Sequence, residues 1–177
     1  MRIDNFKSEI SRRGGFATSN RFWTSFSVPR FVQSWNSNYS RSLNLLCESI
    51  SFPGKQIESV DYSMYRNTYK VPTGYMNDEL NVVFRLTQDF FVKKVFDEWQ
   101  SGIIDKKTYK ARYIDEYTEQ FLFKADKKNP SSTTPSKDYT IRVEGCYPLT
   151  VGAIEVSNES MDEILKLQVT FAYRDIT

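Results

Sequence analysis

The chain has 177 residues, enough for one domain with a substantial core, and its 24 basic and 22 acidic side chains leave a formal charge of +2. So even a balance leaves no strong electrostatic footprint for nucleic acid or an anionic membrane. The absence of histidine removes the usual general base, the Ser-His and Cys-His nucleophile pairs and the commonest metal ligand together.

In chain order, a short amphipathic helix is predicted first. Asp4 caps it, Ile3, Phe6 and Ile10 share one side, and Arg12-Arg13-Gly14-Gly15 ends it. Phe22 to Val28 reads as a strand stopped by Pro29, residues 33–42 as a Ser/Asn-rich loop, and Leu43 to Ser51 as an extended run ending at Phe52-Pro53-Gly54. The stretch from Lys55 to Asp78 holds two weakly alternating runs, Ile57 to Tyr62 and Tyr69 to Val71, with a turn predicted at Pro72-Thr73-Gly74. It has too few apolar side chains to build a core element. A tyrosine-rich arm of that length is expected to be ordered by a partner.

Leu80 to Leu86 is a strand, and the chain's one long helix follows from about Gln88 to Ser101, capped by Thr87 or Asp89 and ended by Gly102. Phe91, Val95 and Trp99 stack at i, i+4 and i+8 with Val92 and Phe96 beside them, a stripe that packs on a sheet as core. Ala111 to Ile114 and Gln120 to Phe123 read as extended, and the low-complexity run Lys124 to Lys137 as a solvated hairpin tip. Thr140 to Glu144 alternates, Gly145-Cys146-Tyr147-Pro148 breaks the pattern, and Val151 to Val156 resumes it. After the turn-rich Ser157 to Ser160, a final strand puts Leu165, Leu167, Val169, Phe171 and Tyr173 on one face and Lys166, Gln168, Thr170 and Arg174 on the other. The first face needs cover; the second is free to line a surface or channel. If it lines a channel, Lys166 and Arg174 need nearby carboxylates to offset them.

Candidates for chemistry are weak. Asp115 and Glu116, with Glu119 nearby, alternate with Tyr113, Tyr117 and Phe121 as a strand edge or turn would, rather than as a glycosidase pair in a cleft. Asn158, Glu159, Asp162 and Glu163 fit no EF-hand spacing, and Gly14-Gly15 lacks the trailing Gly-Lys of a phosphate loop. Tyr65-Arg66 and Tyr69-Lys70 could stack on single-stranded nucleic acid, but no net positive domain supports them. Cys47 and Cys146 read as buried free thiols. With no apolar run near 18 residues and no signal-type N-terminus, the expectation is a product made in the cytoplasm, with no catalytic site, cofactor, metal or membrane.

Several short stretches, taken in order, resemble the tail tube protein of contractile-tailed, T-even-like bacteriophages. They are Gly15 to Phe22 as the lead-in to a first strand, Cys47 to Pro53 at the start of a protruding loop and Met64-Tyr65-Arg66-Asn67 at its return. Phe96 to Ser101 is similar to the end of that family's helix, and Tyr113 to Tyr117, Gly145 to Gly152 and Val169 to Arg174 follow in its order. The Ser/Asn loop near Asn36 and the tip at Lys127 to Ser136 are longer than the family pattern. The resemblance implies a mainly β (α+β) fold, a β-sandwich or open barrel with one flanking helix, as a single tail-tube domain over residues 1–177. It also implies homohexameric rings whose strands join one continuous inner barrel, and a stacked tube inside a contractile sheath. Sheath, baseplate and tail-terminator proteins would be its partners, and DNA would leave the virion through the lumen without specific binding.

On this reading the arm 55–78 carries inter-ring or inter-subunit contacts through Ile57, Val60, Tyr62, Tyr65, Arg66 and Tyr69, while Lys166, Gln168, Thr170 and Arg174 face the lumen. The rivals are the tube of a type VI or other contractile injection apparatus, a tube-initiating baseplate protein, a β-barrel for single-stranded nucleic acid, and a hydrolase using Asp115 and Glu119.

Overall fold

The computed structural model describes residues 3–13, 16, 20, 22–34, 40–52, 54–125, 139–154, 156 and 164–177. Gly14 and Gly15, Pro53, residues 35–39 of the Ser/Asn loop, residues 126–138 of the predicted tip region and the run 157–163 lie outside them.

Helix α1 (Ile3–Arg12) leads into β1 (Phe22–Phe26), α2 (Ser40–Leu46), β2 (Cys47–Ser51), β3 (Lys55–Met64), β4 (Asn67–Asn77), β5 (Leu80–Arg85) and α3 (Phe91–Ile103). A single helical turn α4 (Ile114–Tyr117), then β6 (Glu119–Ala125), β7 (Tyr139–Val151), β8 (Lys166–Ala172) and β9 (Asp175–Ile176) complete the described chain. The fold is mostly antiparallel β. A seven-stranded sheet runs β1-β6-β7-β8-β5-β2, with β9 beside β7, and β3 and β4 pair only with each other.

Strand β7 turns this sheet into two layers. Its first half pairs with β6 from Val143↔Phe121 to Tyr139↔Ala125, while Tyr147 to Val151 pair with β8. Between the halves Gly145 takes φ 66, a conformation that costs a glycine nothing and bends the strand. The sequence pattern predicts a break here. Instead Gly145 to Pro148 form a bend inside one continuous strand, and of the predicted run Val151 to Val156 only Val151 is strand among the described residues.

The layers face each other through aromatic rings. Phe26 of β1, 4.4 Å from its cross-strand neighbour Phe121 in the same layer, lies 5.4 Å from Phe84 of β5 in the other, and Phe96 of α3 lies 5.2 Å from Phe84 and 5.6 Å from Phe171. Val92, Val95, Phe96 and Trp99 bury the predicted stripe of α3, with Phe91 partly buried at its edge. The Trp99 indole N–H donates to the Tyr117 carbonyl at 2.9 Å, satisfying the one polar atom on that face. The result is a β-sandwich with a flanking helix, open where the outer edges of β1 and β2 remain unpaired among the described residues.

Several boundaries move for identifiable reasons. Leu43 to Leu46 are helical rather than extended, because α2 buries Leu43 and lets Asn44 Oδ1 accept the Phe26 N–H at the open edge of β1. Helix α3 starts at Phe91, where the Asp89 carboxylate, itself bonded to the Thr87 hydroxyl, accepts the Phe91 N–H. Its end is Ile103 rather than Gly102. A Cβ at Gly102 would come within 2.1 Å of the Phe31 ring, so this glycine is a seat for an aromatic and not a stop. Arg112 lies over the same ring at 4.7 Å and donates to the Gly102 carbonyl. Ala111 makes only an isolated bridge to Ile104, and Ile114 opens the turn α4.

Candidate assembly surfaces

Two surfaces stand out: a hairpin that covers nothing, and a polar sheet face. Every residue of β3 and β4 is exposed. The chain reverses at Tyr65-Arg66, where Tyr65 takes φ 58 and is wholly exposed. Pro72-Thr73-Gly74, predicted as the turn, instead sit within β4. Ser59 faces Pro72 while Glu58 faces Gly74, leaving Thr73 as an extra residue whose hydroxyl donates to the Glu58 carbonyl. A bulge on an edge strand tolerates both proline and glycine.

Register sorts the predicted contact residues. Opposed residues share a face, so Val60/Val71, Tyr62/Tyr69 and Met64/Asn67 lie together, and the Tyr62 and Tyr69 rings stand 5.4 Å apart. Ile57 pairs with Tyr75 on the opposite face, and Tyr65 and Arg66 form the tip. Val71, Met64 and Tyr75 were missed by sequence reasoning; the alternation Val60, Tyr62, Met64 was the available signal for Met64. The hairpin's base is held by the Lys55 ammonium donating to the Ile176 carbonyl at 3.2 Å and the Asn77 amide donating to the Arg174 carbonyl at 3.3 Å.

The polar face belongs to β2, β5 and β8, whose other face is buried through Leu80, Val82, Phe84, Leu167, Val169 and Phe171. Arg85 and Lys166 are direct cross-strand partners, two cations that would repel. Glu48, the extra residue at the β2 irregularity between Cys47 and Ser49, sits between them: Oε1 to Lys166 Nζ is 2.8 Å and Oε2 to Arg85 Nε is 3.3 Å. The Lys166 hydrogen bond first, and Arg85 after it, hold the Glu48 carboxyl below its usual range. Further along, Asn81 Oδ1 accepts from Thr170 Oγ1 at 2.8 Å and from Gln168 Nε2 at 3.4 Å. Lys166, Gln168 and Thr170 thus share one hydrogen-bonded surface. Arg174 leaves it, because β8 ends at Ala172 and Arg174 lies in the bend against Gly145, its N–H donating to the Glu144 carbonyl.

Where chemistry was weighed, the geometry is bland. Asp115 and Glu116 lie on α4, and Glu119 on β6, where burial pushes its carboxyl upward. Desolvation raises both the Cys47 and Cys146 thiols to about 12, so neither is a nucleophile. Among the described residues no three His, Cys, Asp or Glu side chains cluster to hold a metal, and no helix is long and apolar enough to cross a membrane.

Comparison with known proteins agrees with this architecture. The model of the phage tail tube protein family matches residues 17–176. No curated protein matches. Among solved structures, the chain resembles one from the anti-feeding prophage tube-terminating cap, with TM-score 0.61, 14% identity, and 92% of this chain and 89% of that one covered. A chain from the sheath/tube terminator of an extracellular contractile injection system (PVC, extended state) gives 0.58 at 11% identity, covering 90% and 94%. A chain from the sheath-tube complex of such a system gives 0.53 at 14%, covering 96% and 95%. At such identities the likeness is one of fold.

Proposed function

The chain belongs to the phage tail tube protein family, and on that premise we propose that it is the tube subunit of a contractile tail. Its role is structural and not enzymatic. Copies close into hexameric rings, the rings stack into a hollow conduit inside a sheath, and DNA leaves the virion through the lumen. The observation that carries this reading is the incompleteness of the single chain: a hairpin with every residue exposed, and open edges on β1 and β2. A two-stranded hairpin is marginal by itself in water, and open edges invite pairing. Closure of a ring supplies neighbours for both.

In this assembly the face bearing Lys166, Gln168 and Thr170 lines the lumen, and Arg174 lies beyond it. Glu48 keeps that lining wet without leaving two bare cations for phosphates to grip, each gripped phosphate steepening salt dependence by about 0.9. Baseplate and terminator proteins meet the tube at its ends.

A second reading, a terminator ring, is motivated by the fold-level likeness to chains of two terminator assemblies, at TM-scores of 0.61 and 0.58. Negative-stain imaging of the purified protein separates the two. A tube subunit gives hollow tubes many rings long. A terminator gives single rings, and a persistent compact monomer refutes both.

A further inference from the structure

The hairpin's apolar side chains do not lie on one face. Val60, Val71, Tyr62, Tyr69 and Met64 form a patch over its outer part, with Asp61/Lys70 and Ser63/Thr68 on the reverse side. Near the base the reverse side gains an apolar pair of its own, Ile57 and Tyr75, 57% and 78% exposed, while the outer-patch side carries Met76 opposite Gln56. The bulge at Thr73 makes this possible. Without it Tyr75 would follow Tyr69 and Val71 onto the outer patch by simple alternation. One flat partner covers one face of a two-stranded ribbon, so two opposed apolar patches need two partners.

We propose that the hairpin is clamped between two different copies of this chain, one seated on the outer patch and one on the Ile57/Tyr75 patch. The inference rests on the tube reading and adds to it which side chains meet which neighbour. Size fits copies that engage together: divided over two faces, strands of 10 and 11 exposed residues give each seat only about half of the 20–30 residues a side of a standard interface, so neither contact stands alone. The body of the same chain also exposes apolar side chains in two separate places: Leu45 and Trp23, the latter under the Lys124 ammonium, beside the groove between β1 and α2, and Ile104 with Tyr109 beyond α3. Because each hairpin patch alone is small, two copies do not form a stable pair, and assembly proceeds only as both sides engage.

The test places p-benzoylphenylalanine at position 62 or at position 75 of the full chain, irradiates the assembled protein and maps the products by mass spectrometry. Both probes are expected to capture other copies, at two non-overlapping segments. Capture of one shared segment, products within a single chain, or no product from either probe overturns the clamp. Imaging of the same samples keeps the two ideas apart. Tubes in which both probes capture one segment leave the tube reading standing without the clamp; single rings with two captured segments leave the clamp standing without the tube. As a second arm, Val60→Ser/Tyr62→Ser and Ile57→Ser/Tyr75→Ser should each abolish assembly with thermal melting of the monomer unchanged, and normal assembly by either double variant rejects the proposal.

Discussion

The folded sheet and the hairpin β3–β4 use the same extended backbone and the same taste for aromatic and β-branched side chains, yet they solve opposite problems. In the sheet, each apolar face has a partner within the chain: Phe84 and Phe171 meet Phe26 across the layers, and α3 closes the side with Phe96 and Trp99. In the hairpin, the Tyr62 and Tyr69 rings pack on each other and both remain about half exposed. Pairing backbones makes a strand, but stability comes from apolar area removed from water, and only one of the two regions removes it alone. The contrast separates residues that keep the chain folded from residues that join it to others.

Substitutions should split along that line. Phe171→Ala empties a site shared with Phe26 and Phe96 and should cost about 3–5 kcal/mol in urea unfolding of the monomer. Tyr62→Ser should change that unfolding by less than about 0.5 kcal/mol while sedimentation shows assembly sharply reduced; equal losses of stability from the two would erase the distinction. Gly145→Ala sharpens it within the sheet: a Cβ there sits 2.9 Å from Arg174 Cβ at φ 66, so a cost of roughly 1–2 kcal/mol is expected, together with altered assembly as the base of the hairpin shifts with Arg174.

Glu48→Gln should leave the fold intact but make assembled tubes retain DNA at low salt and release it as salt rises, where the unmodified tube does not. The sign of the pH effect follows from the lowered carboxyl. Its ion pairs with Lys166 and Arg85 are present above the ordinary carboxylate value of 4.5 and are lost only as pH falls through the depressed folded one. The smallest effect is silence: with both thiols raised to about 12, Cys47 and Cys146 should resist maleimide at pH 8 in the folded protein and react on unfolding.

Much of the fold was legible because its signals are local. The stripe Val92, Val95, Phe96 and Trp99 has helical spacing, and Leu167, Val169 and Phe171 alternate, so the buried faces of α3 and β8 could be read directly. The same holds for the exposed arm, whose lack of a core-forming pattern is itself a local property. Positions where one residue answers to a distant partner were misread. Gly102 looked like a helix stop because Phe31, which occupies the space above it, is far away in sequence. Gly145 looked like a break between strands because the strands that carry β7 through its bend, β6 on one side and β8 with β9 on the other, come from elsewhere in the chain.

What the amino-acid sequence determined by itself was therefore the identity of the apolar faces and the existence of an arm that cannot bury its own side chains, since both follow from periodicity and composition over a few residues. Tertiary structure alone decided that Glu48 would stand between Lys166 and Arg85, that Arg174 would leave the polar face, and that Tyr75 would join Ile57 on the side away from Tyr62. Each depends on a bend, bulge or strand register, and register is a relation between segments that neither segment carries alone.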